Sequence, residues 1–155
     1  MPEREQKTAQ KGFILDPERK HLLTIRYKHA PFMPKLDGKY GLPGGQIDFG
    51  EKPDDALGRE ITEETGIKVA MSIPFYIFTW TYQKGEVQKQ IVAVARLGFY
   101  ESGELRAEAE GESESQIESA QWLDLNTIDP DQFVYDEYPI IEAYREYRVS
   151  NPFTL

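Results

Sequence analysis

GQIDFGEKPDDALGREITEETGI, residues 45–67, is the stretch that decides the reading of this chain. Its first half is rich in glycine and turn residues. Its second half has a helical period. Pro53 suits a first helical position, where its missing N–H is not needed. Asp54 and Asp55 follow in the first turn, where negative charge is favoured. Gly66 stops the helix, so Pro53 to Thr65 is predicted as one helix. Leu57 and Ile61 lie four apart and pack inward. Glu60, Glu63 and Glu64 fall within about 100° of one another on the helix surface. Like charges at this spacing cost a helix roughly 0.2–0.5 kcal/mol per pair, which a solvated face tolerates. The same arrangement suits a hard divalent cation such as Mg²⁺, which takes oxygen ligands and neutralises the repulsion.

The flanks sharpen this picture. Leu42-Pro43-Gly44-Gly45 precedes the helix by a short loop. Glycine lets the backbone approach a ligand closely, and a carbonyl there is a further hard donor. Glu51 and Arg59 flank the helix start, and an ion pair between them would tie the loop to the helix.

Outward from this segment, strands are predicted at Gly12 to Leu15 and His21 to Lys28, with Asp16-Pro17-Glu18-Arg19 as their turn. Tyr40 to Phe49 is short and extended. Ile67 to Tyr82 is rich in β-branched and aromatic residues and is broken by Pro74. Gln83-Lys84-Gly85-Glu86 forms a hairpin turn into a strand over Val87 to Tyr100. Glu101 to Ser119 holds seven Glu and reads as an acidic loop. A strand surrounds Trp122, and Asp136 to Val149 is a last amphipathic helix expected to pack on the chain's own sheet. Strands and helices mix without regular βαβ alternation, so the fold class is α+β.

The chain has 155 residues, one domain's worth. Residues 1–11 read as a flexible N-terminal tail and 12–155 as the single domain. A net charge of −9 argues against a general nucleic-acid binder. The absence of Cys excludes disulfide scaffolds, Cys zinc sites and thiol catalysis. No stretch approaches the roughly 20 apolar residues of a membrane span, and Met1 to Lys11 lacks a signal-like apolar core. The expected compartment is the cytoplasm.

Gly45, five residues, Glu51, seven residues, then Arg59-Glu60-Ile61-Thr62-Glu63-Glu64-Thr65-Gly66-Ile67 resembles the Nudix box at seven fixed and two apolar positions. The resemblance implies an alpha/beta/alpha sandwich around a mixed β-sheet. It also implies a pyrophosphohydrolase acting, with Mg²⁺ or Mn²⁺, on a nucleoside diphosphate linked to another moiety. In such proteins the residues matching Glu60, Glu63 and Glu64 hold the metal, often with the carbonyl matching Gly45, and those matching Glu51 and Arg59 support the geometry. The general base lies in the box or in a later loop, which leaves Glu60, Glu112 and Glu114. Many relatives carry a glutamate about six residues before a Trp like Trp122, and here that position is Gln116. Glu112, Glu114 or Glu118 would then replace it. Phe32, Trp80 and Tyr82 are candidates to stack on a base, against a plain role in the core. His21 and His29 carry no catalytic pattern.

No motif of the ADP-ribose, NADH or coenzyme A groups is found. The family's isomerase branch is excluded because it uses a cysteine. A non-catalytic nucleotide-binding or regulatory module is the alternative reading, and an acidic calcium-binding domain lacks the Asp-rich loop it would need. The expected partner is a small nucleotide-type molecule, with no nucleic acid and no membrane, and a homodimer is open by analogy alone.

Overall fold

The β-branched and aromatic runs become strands and the glutamate-rich segment a helix in the computed structural model, which describes residues 1–28, 33–106 and 116–150. Strands β1 (Glu3–Leu15) and β2 (His21–Tyr27) are joined by a turn that Asp16 organises. Its carboxylate accepts from the Lys20 and His21 backbone N–H groups at 2.8 and 3.0 Å. Short strands β3 (Tyr40–Gly41) and β4 (Gly44–Gln46) follow, and then helix α1 (Pro53–Thr65). The helix matches its predicted bounds. Pro53 opens it, and Gly66 closes it at φ 83°, donating its N–H to the Thr62 carbonyl at 2.9 Å. Strands β5 (Ile67–Lys84), β6 (Val87–Gly103) and β7 (Ile117–Asp124) complete the sheet, and helix α2 (Tyr138–Ser150) ends the described chain.

Among the described residues, seven strands form one mixed sheet in the order β3-β2-β1-β6-β5, with β4 on β1 and β7 on β2. Strand side chains alternate between faces. Phe13, Leu15 and Leu22 therefore join Ile140, Ile141 and Tyr144 of α2 on one face. Ile14 and Leu23 join Leu57 and Ile61 of α1 on the other. The result is the expected alpha/beta/alpha sandwich, with α2 packed on its own sheet.

Two expectations are corrected. Residues 1–11 are not a tail, because β1 begins at Glu3 and pairs in parallel with β6 from Glu3↔Val87 to Leu15↔Phe99. This end is polar because most of it is exposed. Partners distant in sequence hold it, including Glu5–Lys89 at 2.7 Å and Gln6–Gln90 at 2.8 Å. Pro74 does not break β5 either. Among the described residues β5 is an edge strand, where a missing N–H takes nothing from a second neighbour. The pairing with β6 shifts register around Pro74 and continues.

The last helix begins at Tyr138 rather than Asp136. The Val134 carbonyl accepts from the N–H groups of both Glu137 and Tyr138 at 3.0 Å. Asp136 and Glu137 thus lie just before α2. Among the described residues, no helix is long and apolar enough to cross a membrane.

Candidate active site

Strand β4 lies against β1 in the register Gln10↔Gly45 and Lys11↔Gly44. Helix α1 then crosses back over it. A Cβ at Gly45 would sit 2.8 Å from the Glu60 carboxyl carbon, so glycine is what lets this carboxylate rest on the strand. One turn further on, Glu64 Oε2 accepts from the Gly44 N–H at 3.3 Å. Two carboxylates of the shared face therefore converge on Gly44–Gly45.

Glu63 is held differently. Arg59 Nη1 lies 3.3 Å from Glu63 and 3.2 Å from Glu60, while Nη2 lies 3.2 Å from Glu51. The pairing of Glu51 with Arg59 is present, and the same guanidinium also gathers two helix carboxylates. Glu51 further accepts from the Asp48 N–H at 3.1 Å, which closes the loop. That backbone bond, and then Arg59, hold the Glu51 carboxyl below its usual range. The bond to Glu51 raises Arg59 in turn.

The two carboxylates at the strand shift the other way. Burial raises Glu60, with Arg59 opposing and Glu63 adding repulsion. Burial pushes Glu64 up to about 8, opposed by the Lys11 charge and reinforced by Glu60. In both, the surrounding protein compensates the ionised form poorly, which is what holds the proton on.

Among the described residues, no three acidic or histidine side chains stand close enough to hold a metal as they are placed. The donor set nevertheless fits one. Every candidate ligand is a hard oxygen, two of them meet at Gly44–Gly45, and a cation there would take the place of the proton that burial holds on Glu64. Glu63 would have to exchange Arg59 for the metal. Gly45→Ala tests the cradle. The added methyl displaces Glu60, and the expected result is a folded protein with metal affinity reduced roughly tenfold or more by calorimetric titration. Unchanged affinity would remove Glu60 from the ligand set.

A groove runs from this point across the α2 side of the sheet. One cavity of about 360 Å³ is lined by Gly45, Gln46 and Gln116 among others. A second, of about 390 Å³, reaches Tyr27, Phe78, Val134 and Glu137. The two share Lys11, Met33, Trp80 and Tyr82. Trp80 and Tyr82 are thus brought to the same groove as Gly45, partly exposed rather than sealed in the core. Phe78 and Trp80 stack in sequence along it, with ring centroids 5.6 Å apart. Gln116 lines the groove beside Gly45. Phe32, Glu112, Glu114 and His29 lie outside the described residues.

Sequence reading missed Lys11, Tyr27 and Glu137. Lys11 Nζ donates to the Tyr27 hydroxyl and the Leu42 carbonyl, both at 3.3 Å, and lies 3.5 Å from Glu137 Oε1. Burial alone would lower its pKa. The charges of Glu137, Tyr27 and Glu64 outweigh that and raise it. Burial pushes the Glu137 carboxyl up against the pull of Lys11, and pushes Tyr27 to about 12. The one available signal was Lys11 sharing strand parity with Phe13 and Leu15.

Residues 6–144 match the NUDIX domain. An ADP-ribose pyrophosphatase of Methanocaldococcus jannaschii is 30% identical over 137 residues, covering 87% of this chain and 71% of that protein. The NAD-capped RNA hydrolase NudC of Mannheimia succiniciproducens is 34% identical over 119 residues, covering 76% of this chain and 36% of that protein. The chain thus matches only about a third of the length of that relative. The crystal structure of a MutT NUDIX hydrolase from Burkholderia pseudomallei shares the fold, with a TM-score of 0.64 at 24% identity over 90% of this chain and 98% of that one. With its box, its sandwich and a match spanning nearly the whole chain, this protein belongs to the Nudix hydrolase family, whose shared chemistry is the hydrolysis of phosphoanhydride bonds.

Proposed function

We propose that the protein is a divalent-metal-dependent pyrophosphohydrolase that cleaves the diphosphate of a nucleoside diphosphate joined to another moiety. One observation carries this reading. Glu60 and Glu64 meet at Gly44–Gly45, and that point opens on the groove containing Trp80 and Tyr82. A diphosphate placed at Gly45 puts an attached nucleoside within reach of those rings.

Glu60, Glu64 and, once released from Arg59, Glu63 would hold Mg²⁺ or Mn²⁺, with the Gly45 carbonyl as a further donor. The bound ion supplies charge neutralisation at phosphate oxygens and a bound water of lowered pKa. Arg59 and Glu51 are positioning residues that fix the loop against the helix. Glu60 is the base candidate among the described residues, since its half-buried carboxylate sits at Gly45. Trp80 and Tyr82 offer ring faces to a base. The names of the relatives, an ADP-ribose pyrophosphatase and an NAD-capped RNA hydrolase, agree with a diphosphate that joins a nucleoside to another group.

A second reading, non-catalytic nucleotide binding, draws on Gln116, which lines the groove beside Gly45 and does not ionise. A hydrolysis panel separates the two. It holds nucleoside triphosphates, ADP-ribose, NDP-sugars, dinucleoside polyphosphates and NADH, each with Mg²⁺, with Mn²⁺ and with chelator. Metal-dependent cleavage at a diphosphate, with products identified by mass, is the expected result. Absence of cleavage across the panel, with nucleotide still bound, would replace the hydrolase reading with the binding one.

A further inference from the structure

Helix α1 brings Glu60 and Glu64 to Gly44–Gly45, so the tilt of this helix on the sheet decides whether they meet. Ala56, Leu57 and Ile61 hold it down through apolar contact, which is non-directional. A directional link lies at its first turn. Gln10 is 3% exposed and touches both halves of the site. Its backbone pairs with Gly45 of β4, and its Nε2 donates to the Pro53 carbonyl of α1 at 2.8 Å. Its Oε1 accepts from Arg96 Nη1 at 3.2 Å. Arg96 in turn pairs with Asp54, next to Pro53, and donates from Nη2 to the Ser72 carbonyl at 2.9 Å. Ser72 falls in the register shift of β5 between Met71 and Pro74, and Arg96 is the β6 partner of Pro74. Where the ladder slips, the Arg96 guanidinium takes the Ser72 carbonyl. Glutamine suits the junction because it donates and accepts at once, and arginine because its fork spans three oxygens.

We infer that Gln10 and Arg96 are positioning residues of the active site, which hold the first turn of α1 at a fixed place over β1 and so set how closely Glu60 and Glu64 approach Gly44–Gly45. The lever is short and stiff. Glu60 lies about 10 Å along the helix axis from Pro53. Ile61 rests so close on β1 that a Cβ at Gly12 would meet its Cδ1 at 2.7 Å. The helix therefore bears on β1 at Ile61 over Gly12 and at Pro53 over Gln10. Losing the second contact lets it rock about the first. A misplacement of about 1 Å in a site of this kind costs up to roughly 10²-fold in rate.

This inference rests on the proposed function in taking Glu60 and Glu64 to hold a metal, and its first readout needs none. In chelator, amide hydrogen exchange by NMR follows the Gly44 N–H, which donates to Glu64. Gln10→Met is expected to speed exchange at Gly44 roughly tenfold, while Ile91 and Ala93 within β6 keep their protection. Mn²⁺ binding, followed by electron paramagnetic resonance, is expected to weaken roughly tenfold in the same variant. The variant keeps its fold, because Arg96 still has Asp54 and Ser72 and the Pro53 carbonyl still has its helical partner. Arg96→Lys, which keeps the charge and loses the fork, is expected to move both readouts the same way by roughly threefold. Ile140→Val lowers stability from the α2 face and should move neither, which separates positioning from stability. Unchanged Gly44 exchange or unchanged Mn²⁺ affinity in folded Gln10→Met protein would overturn the inference, and so would equal shifts in Ile140→Val. Wild-type protein that binds no Mn²⁺, with Gly44 exchange still raised in Gln10→Met, would sink the metal reading and leave the placing of α1 by Gln10 standing.

Discussion

Glu64→Gln is expected to lower metal-dependent turnover by roughly 10²–10³-fold while making the metal-free protein more stable at alkaline pH. The two effects share one cause. The Glu64 carboxyl accepts from the Gly44 N–H in a half-buried setting that pushes its pKa from 4.5 to about 8. A carboxyl whose folded pKa is raised binds its proton more tightly in the folded state. Its contribution to stability is therefore full below about pH 4.5 and is lost as pH rises through about 8. Glu60, also raised, adds to the trend in the same sense. Without metal, the wild-type Tm should fall relative to that of the variant between about pH 5 and 9, by about 2–4 °C for each kcal/mol of penalty relieved. A divalent ion should narrow that gap in the wild type, since it favours the ionised carboxylate. Thermal melts of both proteins across this range, with and without Mg²⁺, decide the matter. A folded variant with normal turnover would remove Glu64 from the metal set, and identical pH profiles would show that its charge is already compensated.

Lys11→Met is expected to destabilise the fold by about 3–5 kcal/mol, because it strands a buried carboxylate. The Lys11 side chain is 10% exposed and that of Glu137 is 4% exposed, and the two lie 3.5 Å apart. Removing the cation leaves Glu137 with the Leu42 backbone as its remaining support. It also removes the charge that holds Glu64 down, so Glu64 should titrate still higher and metal binding at neutral pH should weaken. Replacing both members, as Lys11→Met with Glu137→Leu, should restore much of the lost stability, since apolar packing commonly matches a buried pair. Urea midpoints for the two single variants and the double variant give the coupling directly. A loss below about 1 kcal/mol for Lys11→Met would mean that water or a neighbouring group compensates Glu137.

These two residues also mark where sequence reading stopped. Helix α1 was legible to its bounds because its signals are local. Pro53 and Gly66 set the ends, and Leu57 and Ile61 set the buried face. The Glu51–Arg59 pair was legible for the same reason, as a loop and the first turns of one helix. Helical spacing placed three carboxylates on one arc. It did not say which of them would meet a strand and which an arginine, because that depends on where β4 passes beneath the helix.

The sequence by itself determined the box, the helix that bears it, the acidic face and the mixed composition of a layered α+β domain. All of these follow from contacts within a few residues or from the alternation of side chains along a strand. Tertiary structure alone decided that Glu3–Lys11 is a strand, since its order comes from pairing with β6 rather than from any apolar pattern of its own. It alone set Lys11 against Glu137, and Trp80 and Tyr82 into the groove that begins at Gly45. The physical reason is the same in each case. A buried charge or a half-open aromatic ring takes its meaning from what lies opposite, and what lies opposite is contributed by a distant part of the chain.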